Sequence, residues 1–434
     1  MIILSNIKEL YDGTGAVEET VHRNADLHID GGLIHEVRPH DPNLKVGDAH
    51  TLIDCSGHTV TPGLIDCHGH VTVLGLASSS MDTMLAGESL LWVEKILHTT
   101  LVDGGVTTMR DVGGATDLHK RLVDNGTILG PRLKISIAML STTGGHADFR
   151  SVDRCHGELS RLWPEAPGRP SSIVDGPWEC RKRVRELAAC GADLIKICSS
   201  PGVASPSDHL ECRDFSPEEV EAIVDEAHAR GLQVAAHAHS RAGIDLAIRC
   251  GVHDIQHISF MDEELVDLAS QKNCVVTPTS WIMKELQTTS DLSDFVMDKV
   301  KKVAEVHAAA TSYAYKGGLP VLMGTDPVLP GMHGTNGLEI AALMAEGLPH
   351  LAAWHGATGL AALHIGTPDT GSLIKGNRAD LLICTEDVIR APAKLADGAI
   401  LEVIKDGEGY RGGLPSMPQR RYDTNLRERL LTTP

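Results

Sequence analysis

Eight short apolar stretches of this 434-residue chain each run into a polar cluster, with helical stretches between most of them. They are TVTPGLIDCHGH, VTTMRDVG, RLKISIAML, ADLIKICSS, LQVAAHAHS, HDIQHIS, CVVTPTS and LPVLMGTDP. Buried strands alternating with helices predict an α/β fold with a parallel sheet. Eight such units predict a (β/α)8 TIM-type barrel, whose strand ends present chemistry at one face. The clearest connecting helix runs from Pro217 to Arg230. Ser216 caps it, Pro217 takes its first position, Glu218 and Glu219 sit in the electropositive first turn, and Gly231 ends it. The next strand starts at once, as a short αβ loop requires.

A barrel of this kind uses roughly 250 residues, so the chain has room for a satellite. Residues 1–59 read as short strands and turns, with Asp30-Gly31-Gly32 as a hairpin signal between alternating apolar residues. A matching pattern returns in GSLIKGNRADLLICTED and LEVIKDGEGYRG. Residues 1–59 plus 366–434 are therefore expected to form one small accessory β-sandwich around a barrel of residues 60–365. Long polar stretches follow the third strand, at 141–170, and the eighth, at 327–337. Such loops at the ligand-bearing face shape substrate pockets.

Composition narrows the partners. Lys and Arg number 39 against 58 Asp and Glu, a formal charge of −19 that would repel a phosphate backbone, so no nucleic acid is expected. No apolar run is long enough to cross a bilayer, so no membrane partner is expected either. The start, MIILSNIKELYDGTG, has neither basic leader nor cleavage site and reads as a first strand, which places the protein in the cytoplasm. Ten cysteines, Cys155 among them, are scattered without a CxxC pair and read as reduced and mostly buried.

The strand ends carry the chemistry. His68 and His70 flank Gly69 after an apolar strand, and alternate residues of a strand share a face, so both can address one cation. Lys196 lies among Leu194, Ile195 and Ile197. Burial of an unpaired ammonium lowers its pKa, and a neutral amine can take up carbon dioxide to become an anionic carbamate able to bridge two ions. His237 and His257 each fall near a strand end, and Asp326 follows the last strand, where a carboxylate can bind metal and exchange a proton with water. Each has an ordinary alternative: a polar loop pair, a lysine paired with an acid inside the barrel, a hydrogen-bonded core histidine, a turn aspartate. Six residues of suitable chemistry at five strand ends of one fold point jointly to a metal site.

On these residues, and on PGLIDCHGH, TTMRDVGG and GSLIKGNRADLLI, the chain resembles the amidohydrolase superfamily over nearly all its length. TTGGH after the third strand, a lysine followed by Cys198 and a Gly-Val-x-Ser-Pro turn, and the HAHS string resemble its binuclear metal-dependent peptidase and amidase branch. That branch includes prolidase-like Xaa-Pro and Xaa-Arg dipeptidases and ochratoxin-hydrolysing amidases. One departure is Pro201, where a second glycine would be expected. The resemblance implies two divalent metal ions, with zinc best suited to imidazole and carboxylate ligands. His68, His70 and Asp326 would hold one, His237 and His257 the other, and carbamylated Lys196 would bridge them together with the attacking hydroxide.

It further implies that Asp326 moves the proton and that His146 hydrogen-bonds the substrate carbonyl. His239, on the same face as His237, would contact the substrate or orient His237. Asp111 would brace the barrel rim. The implied reaction is hydrolysis of an amide joining an acyl group to an amino acid in a small-molecule substrate, by a homo-oligomer. Two alternatives stand beside it: ring opening of an imidazolone-type substrate or deamination, whose one-metal relatives generally lack the lysine of the fourth strand, and a non-enzymatic barrel scaffold.

Overall fold

β-Branched residues between glycine turns set the first strands. In a computed structural model that describes residues 1–44, 47, 50–73, 75, 86–148, 167–203, 209–289 and 293–420, these are β1 (Ile2–Tyr11), β2 (Val21–Asp30), β3 (Leu33–Pro39), β4 (Thr51–Asp54) and β5 (Thr59–Pro62). Cys155, residues 149–166 of the long third loop, residues 204–206 of the Gly-Val-x-Ser-Pro turn and residues 421–434 lie outside the described residues. The Gly31-Gly32 pair joins β2 to β3 as a two-residue turn with φ of 56° and 80°, conformations that glycine adopts without penalty.

The barrel strands follow as β6 (Leu64–Gly69), β7 (Val106–Asp111), β8 (Arg132–Ile135), β9 (Met139–Leu140), β10 (Leu194–Cys198), β11 (Gln233–Ala238), β12 (Asp254–His257) and β13 (Val275–Thr277). All their ladders are parallel: β6, β7 and β8 form one sheet, and β9 to β13 another. β8 and β9 are two halves of the third strand, broken where Ile137 takes φ of 69°; the first half pairs β7 and the second pairs β10. Residues 320–323 close the ring. Val276 N–H donates to Pro320 O at 3.0 Å, and Cys67 N–H donates to Met323 O at 2.9 Å.

Besides the broken third strand, two expected strands differ from their sequence pattern. TVTPGLIDCHGH is cut at Gly63, whose N–H donates to Asp380 O on the terminal sheet, while the next residue, Leu64, donates to Gly105 O beside the barrel. A Cβ at Gly63 would lie 2.3 Å from the Thr107 side chain, so the switch of partners needs glycine. The eighth strand is a single bridge from Val276 to Val321 and not a ladder. Pro320 has no N–H to extend it, and Gly324 packs so tightly that a Cβ would lie 2.4 Å from Thr277.

The helix expected at Pro217–Arg230 is observed as Pro217–His228, with Ser216 and Glu219 forming a capping box. β14 (Leu381–Cys384), β15 (Ile400–Lys405) and β16 (Glu408–Gly409) return to the first sheet, giving the order β16-β15-β14-β5-β1-β2-β3 with β4 on β1. Residues 2–62 and 381–409 thus share one sheet, with Leu4, Ile7, Leu27, Leu381 and Ile404 in a common core. The barrel's core includes Val106, Ile195, Ile197, Val234, Ile255 and Val276. At about 1.5–3 kcal/mol for each large apolar side chain buried, such layers hold the strand ends in place. Among the described residues no helix is long and apolar enough to cross a membrane.

Candidate metal-binding active site

The strand ends converge as the sequence pattern requires. β6 carries His68 and leads into His70, β11 carries His237 and leads into His239, β12 ends at His257, and Asp326 follows the closing segment. Ladder register sets the levels: Cys198 is opposite His237, and Ala238 is opposite His257. His257 and Asp326 are held at φ of 69° and 47°, in the left-handed region, and Ile258 at 55°. Such residues cost of order 1–3 kcal/mol each and gather where surroundings force a side chain into a working direction. For Asp326 the forcing contact is its N–H donating to His68 O at 2.8 Å.

Two donor groups result. His68, His70 and Asp326 form one, and His237, His239 and His257 the other, with the candidate ligand atoms of each group within 4.8 Å of one another. The groups adjoin, since the His68 and His257 rings are 4.9 Å apart and those of His237 and His257 4.3 Å. His70 Nδ1 donates to Gly113 O at 3.0 Å, which leaves Nε2 a lone pair. That lone pair faces Asp326 Oδ1 at 3.4 Å, and His68 Nε2 is equally close to the same oxygen.

Burial keeps the rings neutral. It lowers His70 to about 3 and His146 to about 4, and takes His68, His237, His239 and His257 well below the usual histidine range. Burial raises the Asp326 pKa, opposed by its neighbours His70, Lys196 and His146. His257 Nδ1 lies 2.8 Å from Thr279 Oγ1, while its Nε2, like His68 Nδ1, is buried without a hydrogen-bond partner among the described residues. A neutral imidazole lone pair facing a carboxylate, beside the unpartnered Nε2 of His257, is an arrangement that divalent cations satisfy and protons do not. The donor set fits zinc.

Lys196 lies opposite Ala235, two residues deeper than His237. It is fully buried, and its ammonium donates to Gln256 Oε1. Gln256 Nε2 donates in turn to Asp254, which forms an ion pair with Arg110 and accepts from Thr277 Oγ1 at 2.9 Å. Arg110 thus pairs Asp254, and the hydrogen-bond partner of Lys196 is a neutral amide. Desolvation lowers Lys196 to about 8, against the opposing pull of Cys198, Asp254 and Asp326.

His146 stacks on His237 with ring centroids 4.0 Å apart. Gly202 makes that possible, because a Cβ there would lie 2.0 Å from the His146 ring. Pro201, the departure from the expected pattern, turns its carbonyl to 3.4 Å from His237 Nε2. Both donor groups open on a cleft of about 660 Å³, and the facing wall is apolar: Met139, Val203, Ile282, Met283, Leu286 and Val328.

Several positioning groups escaped the sequence pattern. Asp66 accepts from His68 N at 3.0 Å, Thr325 N at 3.1 Å and Asn336 Nδ2 at 2.9 Å, and so ties β6 to the Asp326 turn. An acid inside the apolar run LIDC was the available signal. Gln256 and Thr279 carried none. Asp111 braces the rim as expected, accepting from Val71, Gly113 and Ala115 backbone N–H groups.

The sequence profile of the amidohydrolase family matches residues 59–409. Ochratoxinase of Aspergillus niger is 32% identical over 325 residues, covering 72% of this chain and 66% of that protein. The chain thus spans just under two thirds of the length of that relative. Imidazolonepropionase of Deinococcus radiodurans is 26% identical over 408 residues, covering 91% of this chain and 94% of that protein. A solved prolidase complexed with N-methylphosphonate-L-proline superposes with a TM-score of 0.85 at 30% identity, covering 94% of this chain and 99% of that one.

Proposed function

Since the chain belongs to the amidohydrolase family, we propose that it hydrolyses the amide bond between an acyl group and an amino acid, as a dipeptidase, carboxypeptidase or N-acyl amino acid amidase. Ochratoxin-type amides fall within this class. The observation that carries the reading is the pair of adjoining groups of neutral imidazoles, one of them with the Asp326 carboxylate, facing one apolar-walled cleft. His68, His70 and Asp326 would hold one divalent ion, His237 and His257 the other, and Lys196 as its carbamate would sit between them. Zinc bound there would supply Lewis acidity, acidifying water to a pKa of about 7 and polarising an amide carbonyl.

The rest is work for this chain's own groups. Asp326 takes the proton of the attacking water on its carboxylate and delivers it to the leaving nitrogen. Its raised pKa, caused by burial, suits both halves of that transfer. His146 donates a hydrogen bond to the carbonyl oxygen as negative charge develops. Lys196, lowered to about 8, has a fraction of neutral amine at neutral pH; its nitrogen bonds to carbon dioxide and one N–H proton departs, leaving an anionic group. Met139, Ile282, Met283 and Leu286 exclude water and receive an apolar side chain or acyl group.

A second reading, hydrolysis of a cyclic amide, draws on the similarity to imidazolonepropionase. Lys196 with its neutral partner favours the first. A screen of the zinc-supplied protein decides between them, with N-acyl amino acids, Xaa-Pro dipeptides, dipeptides ending in basic residues and aromatic amides on one side and cyclic amides on the other. Turnover of the linear amides is expected. Turnover of imidazolone-type or heterocyclic substrates alone would overturn the proposal.

A further inference from the structure

A chain of hydrogen bonds leaves the cleft behind His239 and ends at the half-buried Glu346. His239 Nδ1 lies 2.8 Å from Ser259 Oγ, and Ser259 Oγ lies 3.0 Å from His307 Nδ1. His307, on the helix Asp294–Lys316, places Nε2 3.4 Å from Ser280 Oγ, and Ser280 Oγ donates to Glu346 Oε2. His239, Ser259, His307 and Ser280 are all buried.

This chain has a direction. A carboxylate only accepts, so the single hydroxyl proton of Ser280 goes to Glu346, and the Ser280 oxygen must accept from His307 Nε2–H. Burial lowers the His307 pKa and leaves the ring one N–H. Its Nδ1 is therefore an acceptor and takes the hydroxyl proton of Ser259. The Ser259 oxygen in turn accepts from His239 Nδ1–H.

We infer that Glu346, Ser280, His307 and Ser259 are positioning residues that lock His239 in its Nδ1–H tautomer, so that Nε2 presents a lone pair to the cleft. A ring so fixed can bind a cation beside His237 and His257 or accept a substrate N–H. It cannot donate to a substrate carboxylate. The inference rests on the polarity of these hydrogen bonds with a neutral His307, and it stands or falls apart from the proposed reaction.

Nitrogen NMR of the full chain with ring-labelled histidine tests it, the His239 signals being assigned by loss in His239→Gln. The wild type is expected to show His239 protonated on Nδ1 alone. Ser280→Ala and Glu346→Leu, which remove the polarising acceptors, should replace that single-tautomer signal by a mixture. Glu346→Gln keeps an acceptor oxygen and should restore it, a rescue that a merely structural role would not produce. A wild-type His239 protonated on Nε2, or a single Nδ1–H signal retained in both Ser280→Ala and Glu346→Leu, would overturn the assignment.

Discussion

Asp66→Asn perturbs the site without touching a proposed ligand. The wild-type carboxylate accepts from His68 N and Thr325 N on Oδ1, and from Thr325 Oγ1 and Asn336 Nδ2 on Oδ2. Asparagine keeps the first oxygen and puts an amide N–H2 in place of the second. Asn336 cannot turn to accommodate it, because its own Oδ1 already accepts from Gly334 N. Two buried donors lose their acceptor, at about 1–3 kcal/mol each, or about 2–6 kcal/mol together. Rotation of the Thr325 hydroxyl to accept from the new amide brings the cost toward the lower end. Because the lost oxygen holds the Thr325 hydroxyl, next to Asp326 in the chain, zinc affinity should also fall, by about 10–100-fold. Denaturant unfolding with and without zinc, together with a zinc titration, gives both numbers. Burial raises the Asp66 pKa against these four hydrogen bonds. An Asp66→Asn protein with stability within about 0.5 kcal/mol of wild type and unchanged zinc affinity would mean that a neutral group serves equally well, and would refute the argument.

Other substitutions separate the roles of the site. Lys196→Ala should lower both metal content and turnover, with partial recovery on adding short carboxylic acids; full metal and full turnover would remove the bridging role. Gly202→Ala should displace His146, since the new Cβ would lie 2.0 Å from its ring, and so reproduce His146→Ala: intact metal loading, and kcat lower by about 10²–10³-fold. Loss of metal in either variant would make His146 structural. Met283→Ala shortens the apolar wall and should raise KM for substrates with bulky apolar groups by about 10-fold or more, at about 1.5–3 kcal/mol for the lost burial, while small substrates change little. An equal effect on both substrate classes would show that the wall does not select.

How much of this was legible in the sequence depended on range. His68, His70, His237, His257 and Asp326 were readable because the passage from apolar strand to polar end is local, and alternation fixes which residues share a face. The link from Asp66 to Asn336 spans 270 residues and that from Ser280 to Glu346 spans 66, and no local period encodes either. TVTPGLIDCHGH reads as one strand because its apolar pattern is unbroken. Only the positions of Asp380 and Gly105 divide it at Gly63. Lys196 could be seen to be buried, but whether its partner was an acid or an amide was decided by Gln256 on another strand. His239 could be placed on the face of His237 by alternation, whereas the direction of its proton depends on His307, far along the chain.

The most direct test of the central claim is a zinc titration of the chelator-stripped chain, followed by its rate of hydrolysis of N-acyl amino acids. Activity should be absent at the start and should saturate near about two zinc ions per chain, as expected of a two-metal hydrolytic site. A chain that binds no zinc, or one that hydrolyses these amides equally fast after stripping, would contradict it.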